Sequence, residues 1–146
     1  ALGLFLPNTV DRLTGISLKI NYIREYLMEL NTRAVINAVN NNRIHIITHP
    51  GWGALIDTTA LAKVCAQRGT AMEINVKHTP GLGYVELAKA QGVKFAINSD
   101  AHSPEDVGVL ENGLELAEEA GLSADSIINA LNEGKGYRLF EEFVVD

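Results

Sequence analysis

The residues best suited to chemistry lie in segment 95–102, which reads FAINSDAH. Its first part, with Lys94, indicates a short apolar strand over residues 94–98, and its second part indicates a polar loop. Residues two apart in extended backbone point the same way, so Asn98, Asp100 and His102 are expected on one face. A carboxylate beside an imidazole suits Zn²⁺, Mn²⁺ or Fe²⁺. The alternative is a solvated turn whose aspartate caps a helix.

A histidine follows a second predicted strand, residues 44–48, in the sequence THPGWG. The Pro50-Gly51 turn after it would leave the imidazole of His49 at the mouth of the strand. His49 is therefore either a metal ligand or a histidine hydrogen-bonded to backbone. His45, one pleat deeper, is expected to be a buried neutral histidine.

A carboxylate also falls inside a predicted strand, residues 70–76, which contains the sequence MEIN. Burying an ionised carboxylate without a partner costs several kcal/mol. Glu73 must therefore meet a cation, accept several hydrogen bonds or be protonated, and it belongs either to a structural salt bridge or to a metal pocket. His78, in the loop that follows, could reach a substrate or simply be solvated, and Lys77 beside it is a candidate to meet a phosphate.

Alternating strands and helices would bring these loops together. Ile20, Ile23 and Leu27 belong to an apolar stripe that predicts an amphipathic helix over residues 16–30. The other predicted elements are a strand at 2–6, helices at 33–39, 58–68, 83–91, 109–120 and 124–132, a turn at 104–107 and a terminal turn or helix at 137–143. Asn31 or Thr32 is expected to cap the helix at 33–39. Such alternation implies parallel strands joined by right-handed crossovers, with the site at their carboxyl ends.

Composition narrows the class of protein. The chain has 146 residues, of which 47% are hydrophobic, so one domain with a real core is expected. A net charge of −6 without a basic run argues against non-specific nucleic-acid or anionic-membrane binding. The single cysteine, Cys65, is expected to be a small core residue, and we expect a cytoplasmic protein. The chain opens with alanine rather than methionine, which suggests a processed or truncated product.

Four segments, IHIITHPG, MEIN, FAINSDAHSPEDVG and GYRLFEEF, together resemble the C-terminal half of the polymerase and histidinol phosphatase (PHP) superfamily. The resemblance covers the chain from about residue 43 to its end. It implies an α/β fold, the C-terminal part of a distorted (βα)7 barrel, with a site for two or three divalent ions at the C-terminal mouth. It also implies a metal-dependent phosphoesterase that hydrolyses a phosphate ester, either a small molecule or a nucleic-acid end, with metal-activated water.

Carried over residue by residue, the resemblance implies that His49, Asp100 and His102 are metal ligands, with Asp100 and His102 at the catalytic centre. The ions expected there are Zn, Mn or Fe. Three further residues are expected to orient these ligands or to contact the substrate: Glu73, Asn75 and His78.

The chain departs from the family pattern at its start. The first metal motif of the family, H-x-H, is absent, and Phe5 stands near the turn where a further ligand histidine is expected. Either the N-terminal half is missing or this is a degenerate member, so the chain by itself is expected to bind metal weakly. A non-catalytic PHP remnant acting as a structural module, and a hydrolase of C–N bonds, stay open as alternatives. A half barrel leaves strand edges uncovered, which predicts association with the missing segment or with a second copy.

Overall fold

The computed structural model describes the backbone of residues 9–130 and the side chains from residue 17 onward. Within this part, helices and strands alternate after a long first helix. The elements are α1 Thr9–Asn41, β1 Ile46–Ile47, α2 Thr58–Arg68, β2 Ala71–Asn75, α3 Leu82–Lys89, β3 Phe95–Asn98 and α4 Glu111–Glu119, with short 3-10 helices at Pro104–Asp106 and Ala124–Ser126. The predicted strand at 2–6, including Phe5, and the predicted turn or helix at 137–143 lie outside the described residues.

The three strands form one parallel sheet in the order β1-β2-β3. This confirms the predicted α/β class with parallel strands and flanking helices. In the register of the sheet, Met72 pairs with Phe95 and Asn75 pairs with Asn98, so β2 and β3 end side by side. Their following loops therefore begin at the same edge.

The core lies between the sheet and the helices. Its largest fully buried side chains include Leu61 of α2, Met72 and Ile74 of β2, Val85 of α3 and Phe95 of β3. All five residues of β2 are buried, as expected for a central parallel strand that is covered on both faces.

Helix α2 forms with the predicted bounds because both of its ends are capped. The side chain of Asp57 accepts a hydrogen bond from the backbone N–H of Ala60. At the other end, Gly69 adopts a left-handed φ of 69°, and its N–H donates to the carbonyl of Cys65. The sequence signals and the structure agree on this helix.

Strand β1 is shorter than predicted, and this corrects the interpretation of His45. Only Ile46 and Ile47 are in the strand, while His45 lies in a bend before it and is exposed. The carbonyl of His45 still accepts a hydrogen bond from the backbone N–H of Ala71 at 2.8 Å. His45 therefore supports the sheet through its backbone, and the prediction of a buried imidazole is wrong.

Helix α1 is continuous where two helices and an intervening cap were predicted. Thr32, one of the proposed caps, instead donates its hydroxyl to the carbonyl of Met28 at 2.6 Å and accepts from the N–H of Asp57 at 2.9 Å. Its side chain is thus satisfied without breaking the helix. The predicted apolar stripe is present, but Ile20, Ile23 and Leu27 are exposed.

The predicted helix at 124–132 is wrong within the described residues. After the short Ala124–Ser126 turn, Ile127 pairs with Phe95 in a parallel bridge. The side chain of Asn129 then accepts from the backbone N–H of Ile97 at 3.1 Å and donates to its carbonyl at 2.7 Å. An apolar segment with helical spacing is therefore used to cover the edge of β3, because backbone groups there need partners.

Helix α4 packs closely on the sheet through Gly113. A Cβ atom at this position would lie 2.7 Å from the Cγ2 atom of Ile97 and 3.0 Å from that of Val76. The helix can approach β3 this closely only because residue 113 has no side chain. Within residues 9–130, no helix combines the length and the apolar character needed to cross a membrane.

Candidate functional site

The loops after β2 and β3 bring two histidines to one carboxylate. The Nε2 atom of His102 lies 3.6 Å from Oδ1 of Asp100, and the Nε2 atom of His78 lies 3.7 Å from Oδ2. The side chains of Asp100 and His78 are 28% and 26% exposed, whereas that of His102 is 70% exposed. Each oxygen of Asp100 therefore faces a different imidazole, at the sheet edge that the sequence predicts.

These separations are too long for hydrogen bonds, which end near 3.2 Å. They are close to the ~3.4 Å that separates two donors of a tetrahedral ion with bonds of ~2.1 Å. Within residues 9–130, however, no three His, Cys, Asp or Glu side chains are grouped closely enough to hold one ion. The donor types around Asp100 thus fit part of a metal site.

His49 lies on the far side of His78. The centroids of the two imidazoles are 5.7 Å apart, and the rings meet edge to face at 81°. His49 is half-buried, and its backbone N–H donates to Oε2 of Glu73 at 2.7 Å. His78 therefore lies between His49 and Asp100, two of the predicted ligands.

Two of the predicted ligands have unusual backbone conformations. The φ angle is 29° at His49 and 50° at Asp100, and in the described part these are the non-glycine residues with positive φ. Such angles are uncommon outside glycine and cluster at functional sites.

Glu73 accepts several hydrogen bonds, one of the three alternatives for a buried carboxylate. It is 4% exposed. Its Oε2 atom accepts from the N–H of His49 at 2.7 Å and from Nδ2 of Asn75 at 3.1 Å, and its Oε1 atom accepts from Nδ2 of Asn98 at 2.7 Å. The Oδ1 atom of Asn75 in turn accepts from the N–H of His78 at 2.8 Å. Glu73 therefore connects the carboxyl ends of all three strands.

An ion pair also fixes the loop that follows Asp100. The Nζ atom of Lys77 donates to Oδ2 of Asp106 at 2.8 Å, and this hydrogen bond holds the pKa of Asp106 below its usual value. The sequence suggested Lys77 as a group that could meet a phosphate. In the structure its ammonium instead joins the loop after β2 to the Pro104–Asp106 helix.

A cavity of about 240 Å³ is lined in part by His49, Glu73 and His78. Trp52 and His78 form part of its wall, and their rings stack with centroids 4.1 Å apart and an interplanar angle of 19°. Tyr84 also lines the cavity, and its hydroxyl donates to the backbone carbonyl of Glu73 at 3.1 Å. Burial raises the pKa of Tyr84, and the nearby charges of Cys65 and Glu73 add to the effect. The sequence offers no signal for Tyr84, because a helical tyrosine reads as a packing residue.

Curated relatives of the chain are named as probable phosphatases. A probable phosphatase of Thermoanaerobacter sp. (strain X514) is 36% identical over 112 residues, which are 70% of this chain and 46% of that protein. One from Syntrophotalea carbinolica is 33% identical over 70% of this chain and 47% of its own length. One from Shewanella sediminis is 28% identical over 86% of this chain and 65% of its own length.

The chain spans about half the length of the first two of these relatives. No model of a protein family matches it.

Proposed function

We propose that this chain is part of a metal-dependent phosphoesterase of the PHP type, which hydrolyses a phosphate ester with the help of divalent ions. The observation that carries the proposal is the placement of His78 and His102 at the two oxygens of Asp100. The names of the relatives support phosphatase activity in general.

Charge is a second argument for a cation. The chain has a net charge of −6. Glu73 lines the cavity, and Asp100 lies next to His78, which also lines it. A phosphate ester is itself an anion, so it would be repelled from this edge of the sheet unless a cation intervened. Divalent ions at Asp100 would supply that charge and would also lower the pKa of a water molecule.

The proposal assigns separate roles to the residues. Asp100 and His102 would hold one divalent ion, and His49 and His78, the latter at the second oxygen of Asp100, would contribute donors to further ions, because no three of these side chains are grouped around a single ion within residues 9–130. Glu73 fixes the backbone of His49 and the amide of Asn75, which in turn fixes the backbone of His78. Mutation of residues that hydrogen-bond to metal ligands typically lowers metal affinity 10–100-fold.

The first test is metal binding by the chain itself. Titration calorimetry with Mn²⁺ and Zn²⁺ should show weak binding that Asp100→Asn reduces at least tenfold. His45→Ala is the matched control, because this exposed histidine lies before β1 rather than at its carboxyl end. Equal affinities for the wild type and Asp100→Asn would overturn the proposed ligand set.

The second test is turnover by the full-length protein. With Mn²⁺ present, hydrolysis of a chromogenic phosphate ester should fall at least 100-fold in His102→Ala and should stop with a chelator. Equal turnover by the wild type and His102→Ala would refute the assignment.

A non-catalytic role is the second candidate. It is favoured by the absence, within residues 9–130, of any three grouped donors for one ion and by the exposed apolar face of α1. In this case the folded full-length protein would bind no metal above background and would still associate through α1.

A further inference from the structure

Trp52 has a position that neither the sheet nor the metal ligands explain. It lies in the loop between β1 and α2, flanked by Gly51 and Gly53, whose φ angles are 92° and 69°. Its side chain is 61% exposed although it stacks on His78. Since the imidazole covers only one face of the indole, a large apolar surface stays open to solvent beside the cavity.

From this surface we infer that Trp52 is a specificity-determining residue whose open face stacks on a planar aromatic group of the ligand. The inference rests on the proposed function and refines it. The pocket would prefer phosphate esters of nucleoside type to esters of aliphatic alcohols or simple sugars.

The distances set how long a ligand must be to reach both places. His78 has its Nε2 atom 3.7 Å from Asp100 and its ring 4.1 Å from that of Trp52. Because His78 covers one face of the indole, the open face lies on the side away from His78, and the imidazole and the indole together separate it from the proposed phosphate position. A ligand that uses both places must pass the edge of the indole, so its aromatic group is joined to the phosphate through a sugar rather than directly.

The cavity also has the size and polarity for a flat group. Its volume of about 240 Å³ lies just below the range typical of drug-sized ligands, so it suits a ring rather than a larger ligand. Besides Trp52, the histidines and Glu73, its lining includes uncharged residues: Pro50, Thr79, Pro80 and Tyr84. Stacking on an aromatic side chain is the interaction that such a wall offers, and it is tolerant of ring identity.

The test uses the fact that Trp52 is the only tryptophan in the sequence. Its fluorescence therefore reports on this one position. Adenosine monophosphate should change the emission in a saturable way, whereas ribose 5-phosphate should change it little. Saturating adenosine monophosphate, confirmed as bound by equilibrium dialysis, without a change in emission would overturn the inference.

Variants measure the preference. In equilibrium dialysis, Trp52→Leu should weaken binding of adenosine monophosphate about tenfold, or 1.4 kcal/mol, and binding of ribose 5-phosphate less than twofold. Trp52→Phe should restore most of the lost affinity, because it keeps an aromatic face. Leu87→Ala, which removes an exposed leucine from α3, is the matched control and should change neither ligand. An equal loss for both ligands in Trp52→Leu would show a merely structural role and refute the preference.

The two proposals fail in different ways. If adenosine alters the emission in the presence of a chelator but the full-length protein hydrolyses neither phosphate, the stacking role of Trp52 is supported and the phosphoesterase assignment is refuted. If the full-length protein hydrolyses both phosphates with equal kcat/KM, the phosphoesterase assignment is supported and the stacking role of Trp52 is refuted.

Discussion

Glu73→Ala should destabilise the protein more than any exposed substitution, because it removes the acceptor for three N–H donors. The donors belong to the backbone of His49 and the side chains of Asn75 and Asn98. Alanine accepts none of them with its side chain. Asn75 is 1% exposed, so its amide has almost no access to bulk water.

The magnitude follows from the donors that are left without a partner. A buried donor without an acceptor costs about 1–3 kcal/mol. Asn98 is half-buried and can turn towards water, so two such donors remain, and we expect a loss of about 4 kcal/mol. Glu73→Gln keeps one acceptor oxygen, and Asn98 can rotate its amide to accept from the new NH₂ group. Its expected cost is below about 2 kcal/mol, since the weaker hydrogen bonds are partly offset by easier burial.

Urea unfolding, followed by circular dichroism at 222 nm, measures these differences. With a slope of about 2 kcal/mol per molar, Glu73→Ala should lower the midpoint by roughly 2 M. Glu86→Ala is the control, because this glutamate is exposed on α3 and should change the free energy of unfolding by less than about 0.5 kcal/mol. A loss of less than about 1 kcal/mol in Glu73→Ala would refute the argument that this carboxylate holds the three strand ends together.

Three further predictions concern other parts of the chain. Cys65 is fully buried, and burial raises its pKa to about 11, so a thiol reagent at pH 8 should modify it only after unfolding; rapid modification of the native protein would contradict this. Asp106 has a pKa held below 3.8 by Lys77, so its contribution to stability is present above about pH 3.8 and lost as the pH falls through the lowered value. When the free energy of unfolding is measured as the pH is lowered, Lys77→Met should lack the loss of stability that comes from protonation of Asp106. Identical pH profiles for the wild type and the variant would contradict this prediction. The exposed apolar face of α1 should make the chain self-associate, and Leu27→Glu should reduce this in sedimentation velocity; a monodisperse wild-type monomer would contradict the prediction.

Elements whose signals are local could be predicted from the sequence. Asp57 and Gly69 mark the ends of α2, because a cap depends only on neighbouring residues. The parallel strands followed from strand–helix alternation, and with them the shared edge where Asp100 and His102 lie.

Features that depend on distant contacts could not be predicted. The hydroxyl of Thr32 donates within α1 and accepts from Asp57, 25 residues away. Thr32 therefore lies in the interior of a helix, although its sequence context predicts a helix cap. Ile127 joins the edge of β3 instead of a helix because Phe95 offers a backbone partner. The stacking of Trp52 on His78 links two loops, and no spacing along the chain indicates it.

Because the backbone is left-handed at His49 and Asp100, the orientation of these two side chains is set by the fold and not by the local sequence. A free chain visits such angles rarely at residues other than glycine, at a cost of about 1–3 kcal/mol each. A synthetic peptide that copied either loop would consequently present its donors in many directions. Whatever affinity the folded edge has for a ligand is therefore supplied in part by the packed sheet beneath it, which bears that conformational cost before any ligand arrives.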